Sequence, residues 1–149
     1  MNFEPIGIVK SPVKEAVDGN WGNVVSEIHL RDSLASGLQG LEQFSHLIVV
    51  FFMHQSTFDL ETYLVRRARG RSDMPLVGVF AQRARHRPNP IGITAVEILE
   101  VRDNVVKVRG LDAIDGTPVL DLKPYLPAFD CRPEAKFPDW AVRLMQGYF

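Results

Sequence analysis

The residues whose types and spacing could do chemistry are concentrated in Arg83-Ala84-Arg85-His86-Arg87-Pro88-Asn89-Pro90-Ile91-Gly92, three arginines and a histidine entering a Pro-Asn-Pro turn. Prolines at 88 and 90 fix two φ angles and push Arg87 and Asn89 toward extended conformations, so the loop has little entropy left to lose on binding. Guanidinium groups grip carboxylate or phosphate bidentately and stack on bases, which suits an anionic or nucleoside-like ligand. Two further polar groups stand where apolar runs end, His54-Gln55 and Arg109-Gly110-Leu111-Asp112. A strand-end histidine that is simply hydrogen-bonded accounts for His54 as well as ligand contact does.

The basic character reaches beyond that loop. From 66 to 87 there are seven arginines (Arg66, Arg67, Arg69, Arg71, Arg83, Arg85, Arg87) against one acid, Asp73, a local excess of six positive charges. A solvated basic face is the plain alternative to a site. The whole chain carries a formal charge of -1, so nothing global advertises nucleic acid or an anionic membrane.

Other chemistries lack their residues. There is no Gly-x-Gly-x-x-Gly turn, Walker loop, His-Glu-x-x-His or nucleophile elbow. His29, His46, His54 and His86 lack metal-ligand spacing, and Cys131, the single cysteine, can complete neither a thiolate zinc site nor an intrachain disulfide. The expectation is neither metal nor covalent intermediate, in a reducing compartment. The first residues lack a signal-peptide pattern and no apolar run reaches membrane-span length, so the chain reads as cytoplasmic with no membrane partner.

The positioning elements read as mainly strands. At 149 residues and 46% hydrophobic content the chain fits one domain, 1–149, with a sizeable core. Short strands are expected within residues 3–10, 24–30, 74–81, 91–101, 105–109 and 119–123. Leu47 to Met53, seven apolar residues in a row, reads as a central strand buried on both faces. Ile91-Ile93 and Val96-Ile98 imply a bulge or twist midway along their strand, and Asp103-Asn104 a hairpin turn. Residues 31–44 read as a short or broken helix, and residues 139–148 as a closing one. Residues 56–71 read as an amphipathic helix whose trailing arginines suit its dipole. Trp21, between glycines 19 and 22, is a surface anchor or a pocket wall. Asp121 and Lys123, two apart on one strand face, pair with each other or serve a site.

Three separated motifs carry a family resemblance: residues 37–47 (GLQGLEQFSHL), Arg87-Pro88-Asn89-Pro90-Ile91-Gly92, and Leu111-Asp112 with Asp115-Gly116-Thr117-Pro118 and Asp121-Leu122-Lys123-Pro124-Tyr125. Together they resemble the TsaA-like (TrmO) family of S-adenosylmethionine-dependent transfer-RNA N6-threonylcarbamoyladenosine methyltransferases, over most of residues 3 to 130. The resemblance implies a small single-domain β-barrel with a few short helices, a homodimer, and S-adenosylmethionine bound without a Rossmann fold. It implies cofactor contacts at His54, Gln55, Arg83, Ile93 and Arg109, Gly110, Leu111 and Asp112. Trp21 and Gly22 are added by place, where better-known members carry a Gln-Pro-Gly loop.

The implied reaction is methyl transfer to N6 of threonylcarbamoyladenosine beside the anticodon. Alignment in a site shielded from water does most of the work, and a base helps because that nitrogen must lose a proton. His86 and Asp112 are the candidate bases. Arg85, Arg87 and Asn89, with Asp121, Lys123 and Tyr125, are candidates for the acceptor, the arginines meeting anticodon phosphates or the threonyl carboxylate. Where better-known members read Ala-Thr-Arg-Ser-Pro, this chain reads Ala81-Gln82-Arg83-Ala84-Arg85-His86, which places any change of acceptor at Ala84, Arg85 and His86. The bacterial enzymes also carry a C-terminal extension, whereas this sequence stops at Phe149. Two other readings stand beside this one: a cofactor-binding module or methyltransferase with a different small acceptor, and a cofactor-independent RNA binder built on the arginines.

Overall fold

The computed structural model describes residues 2–149. Six strands close into a barrel: β1 (Gly7–Lys10), β2 (Val25–Leu30), β3 (His46–Phe52), β6 (Ile91–Arg102), β7 (Val105–Arg109) and β8 (Pro118–Pro124). Their order around the barrel is β1-β2-β7-β6-β3-β8, every neighbour antiparallel. The seam is short, Gly7 opposite Val119 and Ile8 opposite Pro118. Alternation puts one face of each strand inside. Val9, Ile28, Leu47, Val49, Val96, Val106, Val108 and Val119 fill the interior, each side chain of this size contributing about 1.5–3 kcal/mol by burial. The mainly-β, small-barrel expectation is borne out.

Several elements differ from the sequence reading, each for a physical reason. The run at 47–53 does not lie buried on both faces, because a barrel wall has one inner face. Leu47, Val49 and Phe51 point in, while Ile48 and Val50 are half-buried and Phe52 is exposed. The helix expected over 56–71 shrinks to α1 (Leu60–Tyr63), capped by the Asp59 side chain accepting from the Thr62 amide at 2.8 Å. Its apolar side chains find no core, and Leu60 is 67% exposed. The chain then extends as β4 (Val65–Arg67) against β5 (Leu76–Gly78), so Arg66 and Arg67 lie on a strand and have no helix end to complement. The strand expected at 74–81 is β5 followed by a 3₁₀ turn, Val79–Ala81.

The bulge in β6 falls between Ile98 and Glu100, later than the apolar pattern suggests. Gly92, Thr94 and Val96 face inward, leaving Ile91 and Ile93 outside. Two 3₁₀ stretches, Asp32–Leu38 and Leu41–Gln43, take the place of the broken helix. The Asp103-Asn104 hairpin is present, with Asp103 at φ +54. Near the C-terminus lie α2 (Pro127–Asp130) and α3 (Asp139–Met145). No helix among the described residues is long and apolar enough to cross a membrane.

Gly92 fixes how β3 and β6 fit together. A Cβ there would come within 2.3 Å of the buried Phe51 ring. Gly92→Ala should therefore cost about 1–3 kcal/mol of unfolding free energy, read as a lowered midpoint in denaturant titration with an unchanged slope.

Candidate active site

Because the barrel interior is filled, the space for a ligand lies beyond the inward side chains at one end of β3 and β6. A cavity of about 880 Å³ opens between the ends of β3 and β6, the 80–87 loop, the 112–117 turn and residues 144–149. Its floor is Phe51, Gly92 and Thr94 of the barrel with Thr117 of the turn, all four buried. Ile91 and Ile93, outward on β6, supply an apolar side, and Met53, His54 and Gln55 enter where β3 leaves the sheet.

Of the residues singled out from sequence, the fold brings Trp21, His54, Gln55, Arg83, Arg85, His86, Arg87, Ile93 and Asp112 to this cavity. Trp21 is a wall rather than a surface anchor, being 2% exposed with its indole donating to the Val17 carbonyl at 3.3 Å. The others lie elsewhere. Gly22 is beside the cavity, packed on Phe149. Arg109 pairs with Glu97 across the β6–β7 ladder at 2.7 Å. Gly110 turns the chain at φ +88, and Leu111 is buried in the core. That segment therefore delivers only Asp112. Asn89 stays on the exposed tip of its turn. Asp121 and Lys123 pair with each other at 2.7 Å, and Tyr125 lies against His46 at 6.3 Å between ring centroids. None of those three on or after β8 lines the cavity.

Most of the arginine cluster is bonded to its own chain, although Arg67, Arg71, Arg83 and Arg85 remain exposed. Arg71 grips Asp73 with two bonds of 2.9 and 2.7 Å, and Arg67 donates to the Met74 carbonyl. Arg87 folds back onto the carbonyls of Gln82 and Ala84, at 2.8 and 3.3 Å, and braces the loop. Arg83 donates to the Ile93 carbonyl, joining loop to strand. Arg66 lies over Tyr63 at 5.2 Å with its Nε buried and without a hydrogen-bond partner. Five of the seven (Arg66, Arg69, Arg83, Arg85, Arg87) line the cavity against two carboxylates, Asp18 and Asp112. Such a site attracts anions while keeping a carboxylate within it.

His86 and Asp112 are differently placed for proton transfer. The Thr57 carbonyl, 2.7 Å from His86 Nδ1, can only accept, which assigns the proton to Nδ1. Nε2 then accepts from Arg85 Nε at 3.1 Å, and Tyr63 stacks on the ring at 4.4 Å. Both ring nitrogens are engaged. Asp112 receives hydroxyls on both oxygens, from Thr94 and, at 2.6 Å, from Tyr148. Thr94, Tyr148 and the segment 144–149 are site residues that the sequence reading passed over, while Arg66 and Arg69, noted there only as part of the basic cluster, reach the cavity. The contact between Tyr148 and Asp112 spans 36 positions and leaves no local signal.

With this geometry in hand, the relatives are informative. The chain matches the family described as the tRNA-methyltransferase O N-terminal domain over residues 13–131. It belongs to that family. An S-adenosyl-L-methionine-binding protein of Archaeoglobus fulgidus is 44% identical over 88% of this chain and 94% of its own length. The tRNA (adenine(37)-N6)-methyltransferase of Escherichia coli is also 44% identical, over 89% of this chain and 61% of that protein. A crystal structure of TrmO from Pseudomonas aeruginosa superposes with a TM-score of 0.77 at 31% identity, covering 94% of this chain and 61% of that one. The chain thus spans about three fifths of the E. coli and Pseudomonas proteins.

Burial, and then the neighbouring Asp112, push the Tyr148 hydroxyl well above the ordinary phenol range. A folded pKa raised above the unfolded value of 10.0 means that this hydroxyl stabilises fully below pH 10 and progressively less above it. The stability gap between wild type and Tyr148→Phe, measured by chemical denaturation, should therefore be constant through neutral pH. It should narrow as pH rises beyond about 10.

Proposed function

We propose that the protein is an S-adenosylmethionine-dependent methyltransferase acting on N6 of the threonylcarbamoyladenosine beside the anticodon of transfer RNA. The observation that carries this reading is the convergence of His54, Gln55, Arg83, Ile93 and Asp112 on one cavity, in a chain of the tRNA-methyltransferase O family.

The residues fit the cofactor. The cavity volume lies in the range of small-molecule sites, about 300–1,000 Å³. Ile91, Ile93, Met53 and Phe51 offer apolar surface for a purine, and the cavity's guanidiniums offer partners for a carboxylate. Asp112 is the carboxylate for a cationic amine or sulfonium. The cofactor supplies an electrophilic methyl group. What this chain contributes is alignment and exclusion of water, the terms that convert an encounter into a reactive pair. His86, with both nitrogens engaged, braces Arg85 and the loop, leaving Asp112 to take the proton that the acceptor nitrogen gives up. Arg85, at the mouth of the cavity, is the arginine for phosphate or the threonyl carboxylate.

Phe80 is 77% exposed and Ile93 51% exposed, both on the cavity wall, and this supports a homodimer in which a second copy covers the rim. A transfer-RNA substrate supports a cytoplasmic location. A second reading, a cofactor-binding protein without transfer activity, is favoured by the A. fulgidus relative, an S-adenosyl-L-methionine-binding protein. The RNA-binder reading loses ground because Arg83 and Arg87 are tied to their own chain.

Incubation with labelled S-adenosylmethionine and transfer RNA lacking the N6-methyl should label the RNA. Thermal stabilisation by the cofactor without label in any RNA would select the second reading. Arg83→Ala should weaken cofactor binding about tenfold in calorimetry, since it removes both a cavity cation and the tie to β6. Unchanged affinity would remove Arg83 from the site.

A further inference from the structure

Residues 144–149 lie outside the span matched by the family, 13–131, yet they form one side of the cavity. Their placement is built in. Gly147 and Tyr148 carbonyls accept from the amides of Asn20 and Trp21, at 2.9 and 2.8 Å. Gly19 and Gly22 flank those bonds, and a Cβ on either would come within 2.6 Å of backbone atoms of Gly147 or Phe149. Only residues without a side chain let the segment lie this close. The Arg69 guanidinium covers the Tyr148 ring at 5.4 Å, and Phe149 meets it edge-on at 4.8 Å. The ring is thereby pinned from several sides, with its hydroxyl on Asp112 Oδ2 and the Thr94 hydroxyl on Oδ1.

We propose that Tyr148 is a positioning residue for the cofactor: with Thr94 it clamps the Asp112 carboxylate in the orientation that receives the cationic part of S-adenosylmethionine. The inference rests on the cofactor reading above. A carboxylate offers about four acceptor sites, and the two hydroxyls use one on each oxygen. A cation can therefore approach without displacing either. Without the clamp, the Asp112 side chain is free to rotate, and binding must order it afresh. Phenylalanine at 148 would keep the ring contacts and lose only the donor.

Calorimetric titration of S-adenosylmethionine into wild type, Tyr148→Phe, Thr94→Val, Asp112→Asn and the Tyr148→Phe/Asp112→Asn double variant tests this, with thermal unfolding showing which variants are folded. Tyr148→Phe and Thr94→Val should each bind about 5- to 20-fold more weakly. The double variant should bind no more weakly than Asp112→Asn alone, because Tyr148 acts through Asp112. Wild-type affinity in Tyr148→Phe overturns the proposal, as do losses that multiply in the double variant. Tighter binding by Tyr148→Phe also overturns it, since the hydroxyl would then be a competitor. If wild type itself fails to bind, the cofactor reading falls and the proposal with it. If wild type binds and Tyr148→Phe is unaffected, only the proposal falls.

Discussion

Closure of a six-stranded barrel is the constraint on which the rest depends. With so few strands the interior has room only for the side chains of its own wall, and valines, with Ile28, Leu47 and Phe51, occupy it. A ligand must then be held outside, by whatever the loops between strands can build. The long connection from β3 to β6 supplies most of it: residues 53–56 at the strand exit, the β4–β5 hairpin, and the arginine loop that returns through Pro88 and Pro90. Gly92, the point of return, fits only because it presents no side chain to Phe51. Rigidity of the barrel thus passes directly to the floor of the site.

Charge is organised by the same scaffold. Long basic side chains are ordinarily free to sweep through solvent, and an unattached cluster would hold any polyanion weakly. Here Arg87 is spent on its loop, Arg83 on β6, and Arg71 on Asp73. What remains facing the cavity is a fixed positive field with Asp112 set inside it. Opposite charges at defined places suit a zwitterionic ligand better than a polymer of phosphates. This supports the proposed arrangement, with the cofactor's carboxylate toward the arginines, its cationic part toward Asp112, and the RNA at the cavity mouth.

Much of the fold was legible locally. Alternation in β2, β7 and β8 and the Asp103-Asn104 turn depend on near neighbours, and the structure has them. Errors arose where an apolar pattern was not a core pattern. Ile91 and Ile93 are apolar for the cavity, not the interior, so they shifted the apparent bulge; Leu60 and Leu64 mimic a helical face that has no core to meet. In the site, the arginine loop and the strand exit at His54-Gln55 were visible because composition marks them. Thr94 and Tyr148 were not, nor was the packing of residues 147–149 on the glycines at 19 and 22, since each acquires meaning only from a segment far away in the chain. Asp121, Lys123 and Tyr125 show the converse, a motif whose side chains face away from the cavity and engage each other or His46.

The most direct measurement is a map of backbone amide shifts by nuclear magnetic resonance as S-adenosylhomocysteine is titrated into the protein. If the cavity is the cofactor site, the perturbed amides should cluster at 54–55, 83–94, 112 and 144–149, with the outer face of β8 unaffected. Perturbations confined to residues 121–125 and their neighbours, or none at saturating ligand, would contradict it.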